Sequence, residues 1–413
     1  MKVLAINCGS STLKFQLFEM GSEGRGAEQR LARGLIDRIG GQGAVVLVAE
    51  GGEEVEESAA VADHGEATGR VLGWLDTSGL LRGGGLEAIG HRVVHGGERF
   101  VAPTPIDDEV ISAVEELGRL APLHNAPALA AIRAARGVLG LGLPQVAVFD
   151  TAFHSTMPRR ASLYAIPPQV AQRHHVRRYG FHGLAHRYMA ERYAAIVSPP
   201  SSQARLVTLQ LGNGCSAAAI AGGRSVDTSM GLTPLEGLMM GTRCGDADPS
   251  LAGFIARGEG VAVEEVEGWL NTRSGLLGVS GSSRDMRELL AAERRGDEAA
   301  SLAVDMFCYR VRKYIGAYIA ALGGAEAVVF GGGIGENAPS VRARICAGME
   351  WCGLVLDERR NERAIGSEAR VSPDDAAVHA YVVPVDEGLV IARDVVSCLR
   401  DRRGPAGGTT MGT

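Results

Sequence analysis

Lys2-Val3-Leu4-Ala5-Ile6-Asn7-Cys8-Gly9-Ser10-Ser11-Thr12-Leu13-Lys14-Phe15 is an apolar run that breaks at a glycine turn and then resumes. It reads as a hairpin, with Lys2–Asn7 and Thr12–Glu19 as strands around Gly-Ser-Ser. Roughly half a chain later the same layout returns: Arg205–Leu211, the turn Gly212-Asn213-Gly214, then Cys215–Ile220. A third apolar run, Ala327–Phe330, opens into Gly331-Gly332-Gly333-Ile334-Gly335. Such turns let backbone N–H groups approach phosphate oxygens with no Cβ in the way. Glycine is frequent here, at 57 residues, so single turns carry little weight. The repeated order of strand, turn and strand favours a duplicated α/β unit, two lobes facing one another across a cleft.

At 413 residues the chain exceeds what one hydrophobic core usually supports, so two domains are expected. The boundaries fall at residues 1–150 with 386–413, and at 151–385. The remaining elements read as follows. Val45–Ala49, Ala88–Val94, Gln145–Phe149, Arg224–Thr228 and Tyr381–Val385 are strands. Ala59–Leu75, Asp107–Leu117, Ala126–Leu139, Asp248–Ile255, Val261–Leu270, Ser283–Arg294, Glu298–Leu322, Val341–Met349 and Asp386–Arg403 are helices. The Gly/Thr-rich tail from Gly404 is expected to be disordered.

Hydrophobic residues make up 46% and charged residues 22%, with a net charge of −6. That balance argues against nucleic acid as the main partner, because phosphate-backbone binding wants a basic face. No uncharged apolar run reaches membrane-spanning length, and no signal peptide is read at the start. The seven cysteines are scattered without a C-x-x-C pair, so neither a zinc site nor a disulfide framework is indicated. A cytoplasmic protein with reduced thiols is expected.

Nucleotide motifs are informative by their absence. The third glycine turn lacks Rossmann spacing, because Glu336 stands where the last glycine belongs. No G-x-x-x-x-G-K-[ST] occurs, which excludes a P-loop.

The isolated polar residues supply candidates. Asn7, Ser10, Thr12 and Lys14 crowd the first turn and suit phosphate oxygens, or are ordinary hairpin residues. Lys14 is one of three lysines in a chain otherwise supplied with arginine. Arg92, near the end of an apolar strand, must meet an anion: a carboxylate ligand or a salt bridge to a helix. Asp150 sits at a strand terminus, the place of a catalytic carboxylate or of a helix N-cap. His182 lies between glycines on a segment that reads as flexible and suits donation to a phosphoryl oxygen, whereas His174 and His175 read as surface residues. Asp227–Pro249 shows neither helical nor strand period, and long ordered loops tend to be functional. It carries Arg243, a second candidate clamp. Glu387, opening the last helix, anchors a metal through water or is a favourable first-turn charge. Together these groups fit phosphoryl transfer, where positioning and charge neutralisation dominate.

Val3–Phe15, His91–Gly97, Pro122–Pro127, Phe149–His154, Arg178–Gly183, Leu211–Ser216, Asp227–Pro249, Gly331–Asn337 and Asp386–Asp394 resemble the acetate kinase family, within the acetate and sugar kinase/Hsp70/actin superfamily. The resemblance implies two ribonuclease-H-like domains flanking a cleft. It implies reversible phosphoryl transfer between ATP and acetate with Mg²⁺ or Mn²⁺, and a homodimer. Arg92 and Arg243 would bind the carboxylate and the transferring phosphoryl. His182 would hydrogen-bond that phosphoryl, and Asp150 would orient the reactants or assist the metal. Asn7 and Glu387 would position the metal. Ser10, Thr12 and Lys14 would line the phosphate hairpin, with Gln210, Leu211, Gly212, Asn213 and Gly214 beside the nucleotide's phosphates. Asp285, Met286 and Arg287, with Gly333 and Ile334, would border adenosine, and Gly335 and Asn337 would also bind the nucleotide. Val94, Leu123, Phe181 and Pro234 would enclose the acetate methyl, with His124 nearby.

Three positions depart from the family pattern: Gln210 replaces a histidine, Thr12 a serine and Gly331 a threonine. The rival readings are a propionate kinase, a pyrophosphate-dependent variant, and a nucleotide-gated binding protein of the actin/Hsp70 type.

Overall fold

The computed structural model describes residues 1–21, 28–52, 54–82, 84–119, 125–197 and 203–403. The chain divides into two compact units, Met1–Ala152 with the segment from Asp386 onward, and Phe153–Val385.

The first unit is built on an eight-stranded sheet. Its strands are β1 (Lys2–Cys8), β2 (Thr12–Glu19), β3 (Gln29–Asp37), β4 (Gly41–Ala49), β5 (Glu54–Val61), β6 (Ala88–Val93), β7 (Thr104–Pro105) and β8 (Gln145–Phe149). Their order across the sheet is 5-4-3-2-1-6-8-7. The second unit holds a six-stranded sheet of β9 (Arg205–Leu211), β10 (Cys215–Ala221), β11 (Arg224–Thr228), β12 (Ala327–Gly331), β13 (Ala369–Arg370) and β14 (His379–Val382). Its order is 11-10-9-12-14-13. Strand for strand, 3-2-1-6-8-7 and 11-10-9-12-14-13 are the same arrangement. In each, a central strand pairs antiparallel with its hairpin partner and parallel with the next strand. The duplication inferred from the glycine turns is therefore present as topology, and β4 and β5 are additions to the first copy.

Register places the polar side chains. In the first unit Asn7 lies opposite Arg92, and Arg92 opposite Val148. Side chains alternate along a strand, so Asn7, Arg92 and Asp150, two residues beyond Val148, share one face at the carboxyl ends of parallel strands. The helix Glu387–Arg403 covers that face, its Ile391 and Val395 against Gly90. The opposite face packs Leu4, Ile6 and Ile89 against Ala67, Val71 and Leu75 of the helix His64–Thr77. In the second unit the helix Gly183–Ile196 covers the face bearing Thr208, Gln210 and Ser216, with Met189 and Tyr193 packed against Leu206 and Val329.

Several sequence expectations need correction. The helix expected at Ala59–Leu75 begins only at His64, because Asp63 caps it by accepting from Glu66 N and the chain before it is β5. Val45–Ala49 is the inner half of β4, and β3 was not anticipated because its half-exposed residues show little alternation. The third glycine turn is a short helix, Gly332–Asn337. The helices expected at Asp248–Ile255 and Val341–Met349 run Leu251–Glu259 and Pro339–Cys346, the latter with proline in its first turn. The segment around His182, read as flexible, is the start of the helix Gly183–Ile196. The tail from Gly404 lies outside the described residues.

Candidate active site

In the first unit Arg92 is held by oxygen atoms on two sides. Its Nη2 donates to Asp150 Oδ2 at 2.7 Å and its Nη1 to Asn7 Oδ1 at 3.2 Å. The Asn7 amide turns its other end outward, Nδ2 donating to Glu387 Oε2 at 2.7 Å. Asp150 is fully buried and the Arg92 side chain 12% exposed, so a guanidinium and a carboxylate are held out of water in direct contact. Burial alone would weaken the hold of Arg92 on its proton; the carboxylates of Asp150 and Glu387 outweigh it and raise its pKa. For Glu387 the balance goes the other way. Burial lifts its carboxyl above the usual range, against the pull of Arg92 and Lys14. Arg92 thus pairs with a strand-end carboxylate rather than one on a helix, and Asp150 is engaged as its partner.

The hairpin turn is braced from behind. Gly9 N donates to Thr12 O at 2.8 Å, and His64 Nε2 lies 2.8 Å from Gly9 O. The Thr12 hydroxyl sits 2.6 Å from where a Cβ on Gly9 would stand, so it covers the glycine. Ser10 and Lys14 are exposed. Val94 is buried at the end of β6. Leu123 and His124 lie outside the described residues.

In the second unit His182 precedes its helix with φ of +56°, a left-handed conformation that costs a side chain other than glycine or asparagine about 1–2 kcal/mol. That backbone turns its ring onto the second glycine turn. His182 Cε1 and Nε2 both lie 3.3 Å from the position of a Cβ on Gly214, and Arg243 Nη2 lies 3.7 Å from it. An imidazole edge and a guanidinium therefore border one glycine. Arg243 Nη1 donates to Pro234 O at 2.8 Å. Among the described residues no carboxylate pairs with Arg243, and burial pulls its pKa below the usual arginine range. Phe181 is buried and Pro234 half-buried beside these groups in sequence.

The loop carrying Arg243 is ordered by side chains the sequence reading did not single out. Glu236 accepts from Tyr164 and from Arg178. Arg178 also donates to three backbone oxygens, of Thr228, Ser229 and Met230. Asp246 accepts from Gly237 N at 2.9 Å and from the Tyr314 hydroxyl at 2.8 Å. Only the absence of period in Asp227–Pro249 signalled this scaffold.

A cavity of about 700 Å³ opens in the same unit, inside the size range of small-ligand sites. Three segments line it: Gly212 and Asn213 from the hairpin turn, Asp285–Arg287 at a helix start, and Gly333, Ile334 and Asn337 from the short helix. Gln210, Leu211, Gly214 and Gly335 stand outside its lining. Gly335 is instead held from behind: its carbonyl accepts from Nη1 of the fully buried Arg342 at 2.7 Å. Gln210 lies opposite Ser216, its buried Oε1 without a hydrogen-bond partner among the described residues. His174 and His175 are exposed.

The oxygen donors of Asn7 and Glu387 suit Mg²⁺, which takes one or two carboxylates and completes its shell with phosphate oxygens and water. Among the described residues no group of three or more His, Cys, Asp and Glu side chains is placed to hold a metal alone. Nor does any described helix have the length and apolarity to cross a membrane. The seven cysteines are free thiols.

A family model described as the acetokinase family matches residues 2–393. The chain is 49% identical to an acetate kinase of Solibacter usitatus over 98% of its own length and all of that protein. Its fold is similar to the crystal structure of Porphyromonas gingivalis acetate kinase, with TM-score 0.88, 42% identity and coverage of 96% of this chain and 99% of that one. It is also similar to a propionate kinase from Francisella tularensis, with TM-score 0.88, 37% identity and coverage of 95% and 98%.

Proposed function

The chain belongs to the acetokinase family and is a phosphotransferase acting on acetate, and we propose from this premise which of its residues carry the transfer. An acetate oxygen attacks the γ-phosphorus of ATP in line as the bond to the β-phosphate oxygen breaks, giving acetyl phosphate and ADP. A carboxylic acid has a pKa of about 4, so acetate arrives ionised and no base is needed to activate it. The difficulty is bringing an anion to a polyanion, and the catalytic groups answer that repulsion.

Arg92, oriented by Asp150 and Asn7, takes the acetate carboxylate. Arg243 and His182 take oxygens of the transferring phosphoryl. The observation that carries this reading is the approach of His182 Nε2 and Arg243 Nη2 to Gly214, a glycine where a side chain would fill the space. Asp150 orients Arg92 and takes no proton. Asn7 and Glu387 would hold Mg²⁺, whose charge neutralises phosphate oxygens when bound. Gly212, Asn213, Asp285–Arg287 and Gly333–Ile334 would receive the nucleotide, with Ser10, Thr12 and Lys14 on its phosphates. Val94, Phe181 and Pro234 are the proposed methyl contacts. A homodimeric, cytoplasmic enzyme completes the reading, with sedimentation as the check on the dimer.

The likeness to a propionate kinase favours a second acceptor. One methylene is worth only about 1–3 kcal/mol of discrimination, so propionate should react too, more slowly. The experiment is acyl-hydroxamate formation with acetate, propionate or butyrate, and with ATP or pyrophosphate. Acetate with ATP should give the highest kcat/KM. Arg92→Ala and Arg243→Ala should each abolish most of it, and the two losses should be strongly non-additive if both act on one transition state. Hydroxamate formation indifferent to Arg92 and Arg243 would refute the assignment.

A further inference from the structure

Thr208, His186, Ser216 and His182 form one unbroken hydrogen-bond chain within the second unit. Thr208 Oγ1 lies 2.7 Å from His186 Nδ1. His186 Nε2 lies 2.8 Å from Ser216 Oγ, and that oxygen lies 2.9 Å from His182 Nδ1. Thr208, His186 and Ser216 are all 0% exposed, so no bulk water completes their valences.

The chain has a direction, set at its buried end. The Thr208 hydroxyl hydrogen has one acceptor among the described residues, His186 Nδ1. A buried hydroxyl that fails to donate forfeits a hydrogen bond for nothing in return. Accepting at Nδ1 leaves a neutral His186 with its single proton at Nε2, where it is donated to Ser216 Oγ. With His186 Nε2 already a donor, the buried Ser216 hydroxyl hydrogen has His182 Nδ1 as its acceptor among the described residues, and donates to it. The proton of a neutral His182 must then sit on Nε2, the nitrogen 3.3 Å from the Cβ position of Gly214. The reverse polarity would strand the Thr208 hydrogen. A charged His186 would do the same; burial opposes that charge, and His154 and His182 oppose it further.

We infer that Thr208, His186 and Ser216 are positioning residues that hold His182 in its Nε2–H tautomer, so that it meets the second glycine turn as a neutral hydrogen-bond donor and not as a base. For its kinetic consequence alone, this rests on the phosphoryl contact proposed for His182. A fixed donor needs no reorganisation when charge develops on the phosphoryl oxygens, which is where preorganised dipoles act most strongly.

The test is the imidazole ¹⁵N spectrum of full-length, ¹⁵N-histidine-labelled protein, with His182→Asn identifying the His182 resonances. In the wild type, His182 Nε2 should resonate as a protonated nitrogen and Nδ1 as an unprotonated one. Thr208→Val removes the origin of the chain at nearly constant volume. It should give a mixture of His182 tautomers and a kcat lower by about tenfold, with KM for acetate and ATP within about twofold of wild type. Thr208→Ser should restore both the spectrum and the rate. A wild-type His182 protonated at Nδ1 overturns the inference, as does a Thr208→Val protein that keeps the pure Nε2–H form. Should Thr208→Val fail to fold, the wild-type spectrum still decides. If His182→Asn retained full activity, the phosphoryl contact would fall while the spectrum continued to judge the tautomer.

Discussion

Asp150 Oδ2 accepts from Arg92 Nη2 at 2.7 Å, and these two side chains reach one another from adjacent parallel strands with the carboxylate fully buried. Breaking such a pair from one side leaves a buried guanidinium without its counter-charge, which is costly. Asp150→Asn should therefore lower kcat by about 10²–10³, in the range of losing one preorganised contact, and by a similar factor across pH 6–9. The pH–rate profile checks this. A rate that recovers as pH rises would mean that Asp150 serves as a proton acceptor.

Glu387 predicts a gain in stability at the expense of function. Its carboxyl is held above its ordinary value by burial. A carboxyl with a raised folded-state pKa stabilises the fold below its unfolded pKa, and that contribution is lost as pH rises through the folded value. At neutral pH the ionised group is thus a liability in the protein without nucleotide or metal. Glu387→Gln can still accept from Asn7 Nδ2, and should raise Tm at pH 7–8 but not at pH 4.5. Calorimetry in the absence of ligands measures this. The same variant should show weakened Mg²⁺ binding in the presence of ADP, by titration calorimetry. A Tm difference independent of pH would rule out the burial argument.

Gln210 stands where the resemblance leads one to expect histidine, and its buried Oε1 has no hydrogen-bond partner among the described residues. An unsatisfied buried acceptor costs about 1–3 kcal/mol. It adjoins the strand end that leads into the Gly212 turn lining the cavity. Gln210→His should bind ADP severalfold more tightly, with calorimetric titration as the measurement. Unchanged affinity would show that this position does not reach the nucleotide.

Gly90 is required by close packing. A Cβ there would stand 2.3 Å from Ile391 Cγ2 and 2.7 Å from Val395 Cγ2, both residues being fully buried. Gly90→Ala should destabilise the protein by about 1–3 kcal/mol through overpacking. Because the displaced helix begins with Glu387, the half-saturating Mg²⁺ concentration should rise as well. Thermal denaturation and a Mg²⁺ titration of activity separate the two effects. Loss of stability with unchanged Mg²⁺ dependence would disconnect the helix from the metal.

The fold was legible because its deciding features are local: an apolar run, a glycine turn, another apolar run, twice. Their register then explains why Asn7, Arg92 and Asp150 share a face. The strand β3 escaped because half-exposed residues blur the alternation that marks a strand. His182 was picked out by its glycines, but its reason was misread. It stands in a strained left-handed cap, not on a loose segment. Ser216, Thr208 and Arg342 were not singled out, since their importance is a matter of what lies beside them in space. The spacing of His182 and His186, one helical turn apart, was the available sign of the hydrogen-bond chain. No local pattern marks Arg342.

Glu387 belongs to the first unit yet follows the whole second unit in sequence. The ribosome has therefore delivered the whole second unit before the first receives the helix that covers its sheet. Until Glu387–Arg403 has been made, the face around Gly90 has no helix to cover it. Prematurely terminated products lack this helix, so they should be both inert and unusually prone to degradation.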